Sequence, residues 1–196
     1  MLWLILAIVL WGILHSLLAS TRIKDLFRRV YGDGFMKFYR LLYNVYAVIS
    51  FLPILYLMMT LPDQSLYQVP PPSDHLLRVG QGAALFLLIV AAFQTDLLSF
   101  IGLRQLFQEE KTGLLITKGL YQFVRHPLYT FGLSVLWLSP KISLNSFVVY
   151  TALTVYVLVG IIFEERKLLR EFGQDYANYR SITPMLIPGL NLLWNK

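Results

Sequence analysis

Two short stretches of this 196-residue sequence combine side chains that could bind and orient a charged small molecule. In the first, Arg125, His126 and Pro127 are followed by Tyr129. Pro127 suits the first turn of a helix, and a helix start favours an anion such as a carboxylate. Arg125 adds a fixed fork of donors, and His126 can donate, accept or titrate. The residues predict an anion site beside a neutralisable base. An ordinary proline-started helix with interfacial side chains fits them equally well.

The second stretch begins with two adjacent carboxylates, Glu164 and Glu165, at the end of an apolar run. On a helix, one stripe would be formed by side chains spaced three or four residues apart: Glu165, Leu168, Phe172, Tyr176 and Tyr179. The opposite face is charged and polar. Such a helix could lie in a membrane interface. Alternatively, a carboxylate that leads an aromatic stripe could form one wall of a pocket for a cationic, aromatic ligand.

The elements that must position these groups are membrane helices. The sequence is 57% hydrophobic and 14% charged, whereas soluble domains are about 45–50% apolar and about 25% charged. We therefore predict an all-α, polytopic transmembrane helical bundle that forms a single membrane domain over residues 1–196. Its five predicted spans are 2–19, 41–61, 79–101, 128–139 and 143–163. The fourth is too short to cross a bilayer alone, and an amphipathic segment, 164–196, follows the fifth.

The distribution of Lys and Arg predicts the orientation. Fifteen of the seventeen basic residues fall between spans one and two, after span three, or after span five, and only Arg78 and Lys141 fall elsewhere. Cytoplasmic loops carry the excess of basic residues. We therefore expect the amino terminus outside, the carboxyl terminus and residues 164–196 inside, and the protein in a membrane such as the bacterial inner membrane. The net charge of +6 then reflects this bias and an affinity for lipid headgroups, so nucleic acid is not an expected partner.

Polar residues inside predicted spans are costly and suggest function. His15 lies in the first span and Asp96 near the cytoplasmic end of the third, with Arg104 just beyond it. This predicts one polar layer facing the cytosol, with His15, Asp96 and Arg104 as candidate substrate-binding residues. For His15 a structural hydrogen bond and a ligand contact both remain open. Asp96 could equally be an interfacial side chain. The sequence contains no cysteine, which excludes disulfides and thiolate metal sites, and no metal site is expected.

The two motifs together resemble a known family. R-H-P-x-Y at 125–129, then E-E-x-x-L at 164–168 and F-G-x-x-Y-x-x-Y at 172–179, resemble the isoprenylcysteine carboxyl methyltransferase and phospholipid methyltransferase superfamily of membrane methyltransferases. The resemblance covers about residues 119–188. Upstream, residues 15–20 and 102–105 resemble the NnrU-like and methanethiol S-methyltransferase branch. One departure is Phe131, which stands where the family usually has glycine; Gly132 follows it.

The resemblance implies a methyl transfer from S-adenosyl-L-methionine to a small thiol similar to methanethiol, or second to a prenylcysteine or lipid acceptor. Carried over by position, the catalytic residues would be Arg125 and His126. The cofactor would be bound by residues of both motifs: His126, Pro127, Tyr129, Glu164, Glu165, Tyr176 and Tyr179. Arg125 would meet its carboxylate and Glu165 its ammonium group. An alternative hypothesis is that the chain is a non-enzymatic haem or redox protein, in which His15 and His126 would be the axial ligands.

Overall fold

The computed structural model describes residues 1–107 and 114–190, and within these the chain is mostly helical. Helices α1 to α3 span Leu2–Ala19, Thr21–Thr60 and Ser73–Gln94, and α4 to α6 span Leu97–Ile101, Pro127–Trp137 and Leu144–Ile182. Strands β1, Ser65–Gln68, and β2, Lys141–Ser143, pair in a two-stranded sheet.

Four of the described helices, α1, α2, α3 and α6, are long and apolar enough to cross a membrane. Large apolar side chains such as Val48, Phe86 and Phe93 remain 65–72% exposed on them. Such exposed apolar surfaces are expected where a helix faces the lipid of a bilayer. Helix α5 has 11 residues and is the predicted short fourth helix. The prediction of a helical membrane bundle is confirmed, whereas the single membrane domain over 1–196 stays a prediction.

Two of the predicted spans differ from the helices of the structure. Helix α2 begins at Thr21 rather than near 41, because Ser20 caps it by accepting from the Ile23 N–H. The predicted span 79–101 is divided: α3 ends at Gln94, and Asp96 starts α4 by accepting from the Ser99 backbone N–H at 3.2 Å. An N-cap of this kind sets a new helix start regardless of hydropathy.

The segment predicted at 164–196 is continuous with the last span. Helix α6 runs through the predicted end at 163 to Ile182, with one non-helical residue, Gly173. Residues 183–190 are irregular, and 191–196 lie outside the described residues. The cytoplasmic location of this segment stays a prediction.

The chain divides into two compact units. The first consists of Met1–Ser65, Asp96–Thr112 and Ser143–Val149, and the second of Leu66–Thr95, Gly113–Ile142 and Tyr150–Lys196. In the first, α1 packs on α2, and the Tyr39 hydroxyl donates to the Leu18 carbonyl at 2.7 Å. In the second, α3 packs on α5, and the Gln81 amide donates to the Val135 carbonyl at 2.7 Å.

Candidate active site

The second unit brings the two sequence motifs together around one buried ion pair. Arg125 Nε and Nη2 lie 2.7 Å and 2.6 Å from Glu165 Oε1. Both residues are buried, at 9% and 7% exposure. The other carboxylate oxygen, Glu165 Oε2, lies 3.6 Å from Arg180 Nε. A single buried carboxylate therefore faces two guanidinium groups, which offsets the large cost of removing its charge from water.

The remaining nitrogen of the Arg125 guanidinium, Nη1, is hydrogen-bonded to backbone carbonyls. It donates to the carbonyl oxygens of Arg180, at 3.2 Å, and of Thr183. The last carbonyls of a helix have no partner within that helix and must find donors elsewhere. Arg125 supplies these hydrogen-bond donors at the end of α6. In this structure its donors are thus occupied by protein groups, although the sequence predicted that Arg125 meets a ligand carboxylate.

Residues 183–186, which we call the C-terminal segment, lie along the start of α5. The Arg125 backbone N–H donates to the Pro184 carbonyl at 2.8 Å, and the His126 N–H to the Met185 carbonyl at 3.2 Å. The Thr130 hydroxyl donates to the Leu186 carbonyl at 2.8 Å. Three successive carbonyls therefore fix this segment against the first motif.

His126 lies between the two glutamates of the second motif. Its Nε2 is 3.3 Å from Glu165 Oε1, and its Nδ1 is 3.8 Å from Glu164 Oε2. The imidazole side chain is 5% exposed, whereas the Glu164 side chain is 42% exposed. Of the two carboxylates, Glu165 is therefore enclosed by protein cations, and Glu164 remains accessible to a ligand.

Tyrosines surround the accessible carboxylate. The Tyr129 hydroxyl interacts with Glu164, and the Tyr129 ring centroid lies 5.7 Å from that of His126. Tyr121, in a short 3-10 turn, lies near enough for the Glu164 charge to act on it. Burial, together with the Glu164 charge, raises the pKa of Tyr121 to about 12. The tyrosine hydroxyls therefore remain neutral at physiological pH beside a carboxylate, and the whole group can accommodate a cation.

Gly173 allows the aromatic stripe to reach the site. Its backbone angles, φ 52° and ψ −123°, break α6 between the glutamates and the tyrosines. A side chain rarely tolerates this conformation. Beyond the break, Tyr176 and Tyr179 are buried at 1% and 6% exposure, and the Tyr179 hydroxyl donates to the Tyr121 carbonyl at 2.5 Å. The continuous stripe predicted from spacing is thus bent at the glycine of the F-G-x-x-Y motif.

The three candidate substrate-binding residues belong to the first unit. His15 Nε2 lies 2.6 Å from the Tyr43 hydroxyl, and its ring stacks on Trp11 with centroids 4.8 Å apart. Asp96 forms an ion pair with Arg104. A hydrogen bond from the Ser99 hydroxyl, with the Arg104 charge, lowers the pKa of Asp96. Each of these residues therefore has a structural role, and their contact with a substrate stays a prediction.

Sequence reasoning missed two contributors to the ion-pair cluster. Arg180 is one of the basic residues after the fifth predicted span, where the sequence gives no sign of a partner, and Thr183 contributes a backbone carbonyl, which no residue type encodes. The role of Gln94 was also unforeseen. Its side-chain oxygen accepts from the Leu120 N–H at 2.8 Å and so holds the turn that leads into the first motif. Among the described residues, no group of three or more His, Cys, Asp or Glu side chains could hold a metal ion.

Comparison with known proteins gives a consistent set of relatives. The family model described as NnrU protein matches residues 3–193. A methanethiol S-methyltransferase of Crocosphaera subtropica is 37% identical over 107 residues, which cover 52% of this chain and 42% of the relative. One from Pseudomonas deceptionensis is 32% identical over 53% of this chain and 42% of its own length. Methanethiol S-methyltransferase 1 of Bradyrhizobium diazoefficiens is 27% identical over 94% of this chain and 65% of its own length.

The chain thus matches less than two thirds of the length of these relatives, between 42% and 65%. No solved structure matches it.

Proposed function

Since this chain belongs to the NnrU family, we propose that it is an integral membrane methyltransferase that transfers a methyl group from S-adenosyl-L-methionine to a small thiol similar to methanethiol. Family membership agrees with the resemblance drawn from the motifs. The observation that carries the proposal is the convergence of both motifs on one buried cluster, in which Glu164 alone of the two glutamates stays accessible. The printed names of the relatives supply the reaction type and the thiol.

The residues present fit a zwitterionic sulfonium donor. The half-exposed Glu164 carboxylate, with Tyr121 and Tyr129 beside it, would hold the ammonium group of the donor. Arg180, whose side chain is 41% exposed, is a cation near the same cluster for the donor's carboxylate. When bound, S-adenosyl-L-methionine supplies an electrophilic methyl group.

Arg125 and Glu165 then act as positioning residues rather than as direct contacts. Each is almost fully buried and each neutralises the other. Together they hold α6, the start of α5 and the C-terminal segment in one arrangement. Catalysis of a displacement depends mainly on holding the reactants in line in a site that excludes water. A rigid, charge-balanced framework around Glu164 would serve that purpose.

His126 is the proposed proton acceptor. A free thiol has a pKa of about 8.5 and is mostly protonated at neutral pH, so a thiol substrate must lose a proton to attack. If the Nε2–H of His126 donates to Glu165 Oε1, 3.3 Å away, the lone pair of Nδ1 is left to accept the thiol proton, since Glu164 Oε2 lies 3.8 Å from it, beyond hydrogen-bond distance. A carboxylate acceptor, in contrast, would already be ionised, and His126 would then only position groups.

We further propose that the protein lies in the bacterial inner membrane, with its amino terminus outside and carboxyl terminus in the cytoplasm. The distribution of Lys and Arg supports this orientation. The alternative of a haem or redox protein is not favoured, since the named relatives are methyltransferases. In addition, His126 as an axial ligand would have to give up its contacts with Glu164 and Glu165.

The test is methyl transfer by purified protein in lipid nanodiscs. Isotope-labelled S-adenosyl-L-methionine is offered with methanethiol, larger thiols, a prenylcysteine and phospholipid, and binding of S-adenosylhomocysteine is measured by calorimetry. We expect transfer to the small thiols, and Glu164→Gln should weaken donor binding. The matched control, Glu171→Gln, changes an exposed carboxylate of the same helix and should leave binding unchanged. Absence of donor binding by the wild type, with no acceptor methylated, would refute the proposal.

A further inference from the structure

Helix α2 starts with an amphipathic segment, residues 21–31, that is separate from its membrane span. The segment is bounded by the Ser20 cap on one side and by Gly32 on the other. Gly32 has φ 76° and ψ 175°, which is non-helical and suited to glycine. The apolar run of the span itself begins only near residue 41.

The chain reverses sharply at Gly32. The ring centroids of Phe27 and Tyr39 lie 5.5 Å apart, and those of Phe27 and Phe35 lie 5.9 Å apart. Twelve residues of continuous helix would separate Phe27 from Tyr39 by about 18 Å. Segment 21–31 is therefore folded back, with Phe27 packed against the part of α2 that follows the break.

Packing uses only one edge of the apolar face. Ile23 and Phe27 are half-buried and the Tyr31 ring lies 5.0 Å from that of Phe35, but Leu26 and Val30 are 53% and 62% exposed. Leu26 and Val30 are four residues apart and lie on one stripe of the helix. A second apolar edge is thus left uncovered by the described part of the chain.

Cations border this uncovered edge. Arg22 precedes Leu26 by four residues and Arg29 follows it by three, so both lie beside it on the helix surface. Neither arginine has an acidic partner within ion-pair distance among the described residues, whereas Arg28 pairs with Asp33 at 3.2 Å. Asp25, three residues after Arg22 and four before Arg29, lies next to both arginines on the polar side of the helix. An apolar edge bordered on one side by two arginines is complementary to anionic headgroups above acyl chains.

The depth of segment 21–31 relative to α1 agrees with binding to lipid headgroups. The Tyr39 hydroxyl bonds to the Leu18 carbonyl, so residue 39 lies beside the end of α1, where the first span finishes. Segment 21–31 itself starts two residues after the last residue of α1, Ala19, and so begins at the end of a membrane helix, which is where the headgroup layer is. We propose that residues 21–31 form an interfacial helix that seats Leu26 and Val30 in the bilayer and binds anionic phospholipid through Arg22 and Arg29. This inference is independent of methyl transfer.

The absence of cysteine from the sequence makes a spin-label test direct. A nitroxide is attached to Val30→Cys, or to Asp25→Cys as the control on the polar face, in the full chain in nanodiscs. Accessibility to oxygen, which concentrates in lipid, is compared with accessibility to a water-soluble nickel complex. We expect oxygen access at Val30 and nickel access at Asp25. Nickel access at Val30 would mean a solvated helix, and exclusion of both reagents would mean a protein contact. Either result overturns the proposal.

The choice of lipid is tested by composition. Nanodiscs of pure phosphatidylcholine are compared with nanodiscs that contain phosphatidylcholine and phosphatidylglycerol in equal amounts. The spectrum of the spin label at Val30 has a lipid-seated and a water-exposed component, and their ratio measures how much of the helix is in the bilayer. The ratio should rise with phosphatidylglycerol and fall about fivefold for each arginine removed in Arg22→Gln and Arg29→Gln. The control pair Arg78→Gln and Lys141→Gln removes the same charge elsewhere and should have no effect. A ratio indifferent to phosphatidylglycerol would refute anionic-lipid binding, even with Val30 in lipid.

Discussion

Removing the Glu165 carboxylate should lower the free energy of unfolding more than removing the Arg125 guanidinium does. Removing both groups should lower it less than removing Glu165 alone. In Glu165→Leu, the buried guanidinium of Arg125 and the nearby Arg180 face each other without a carboxylate. Breaking a buried pair from one side costs about 3–5 kcal/mol. In Arg125→Met, Glu165 keeps Arg180 and His126 as partners, so the loss should be smaller.

The double variant separates the charge from the packing. With Arg125→Met and Glu165→Leu together no buried charge is left uncompensated, and replacement of a buried pair by apolar residues is often close to neutral. The carbonyls of Arg180 and Thr183 still lose their donor, which costs about 1–3 kcal/mol. We therefore expect about 1–3 kcal/mol of destabilisation for the double variant. It should also lose methyl transfer, because the C-terminal segment loses an anchor.

The assay is denaturant-induced unfolding in mixed micelles, which gives the free energy of unfolding for each variant. The exposed pair Arg28–Asp33 serves as control, since its nitrogen and oxygen lie 3.2 Å apart and the two side chains are 57% and 90% exposed. Arg28→Met should change stability by about 0–1 kcal/mol. If the double variant loses as much free energy of unfolding as the two single variants combined, Arg125 and Glu165 are not energetically coupled. That result would refute their proposed role as positioning residues.

Three further predictions concern the surroundings of this pair. Gly173→Ala should lower the free energy of unfolding by about 1–3 kcal/mol because of its backbone angles, whereas Gly160→Ala, in the same helix with open space around it, should raise it by about 0.4–1 kcal/mol. Tyr179→Phe should cost about 0.5–1.5 kcal/mol through the lost bond to the Tyr121 carbonyl; an unchanged unfolding midpoint would contradict that bond. The pKa of Tyr121 is raised to about 12, so its contribution to stability is fully present below pH of about 10 and is lost as pH rises towards 12. Phenolate absorbance, with Tyr121→Phe as reference, measures this pKa, and Glu164→Gln should lower it.

Much of the membrane architecture could be predicted from sequence because hydropathy and helix starts are local properties. The apolar run at 2–19 gives α1 with the predicted bounds, and Pro127 begins α5 as the motif indicates. The start of α2 and the division between α3 and α4 do not follow from hydropathy. Ser20 and Asp96 set them by capping bonds of single side chains, which a window of average hydropathy does not register.

Residue types alone show which groups carry charge, and the two motifs predict that Arg125, His126, Glu164 and Glu165 belong to one site. The partners of these groups depend on how the chain folds. Arg125 and Glu165 are 40 residues apart and neutralise each other, so the ligand contacts first assigned to them pass in our proposal to Glu164 and its tyrosines. The reason is physical: a residue type fixes the charge of a group, but burial decides whether that charge must be satisfied by protein or stays available to a ligand.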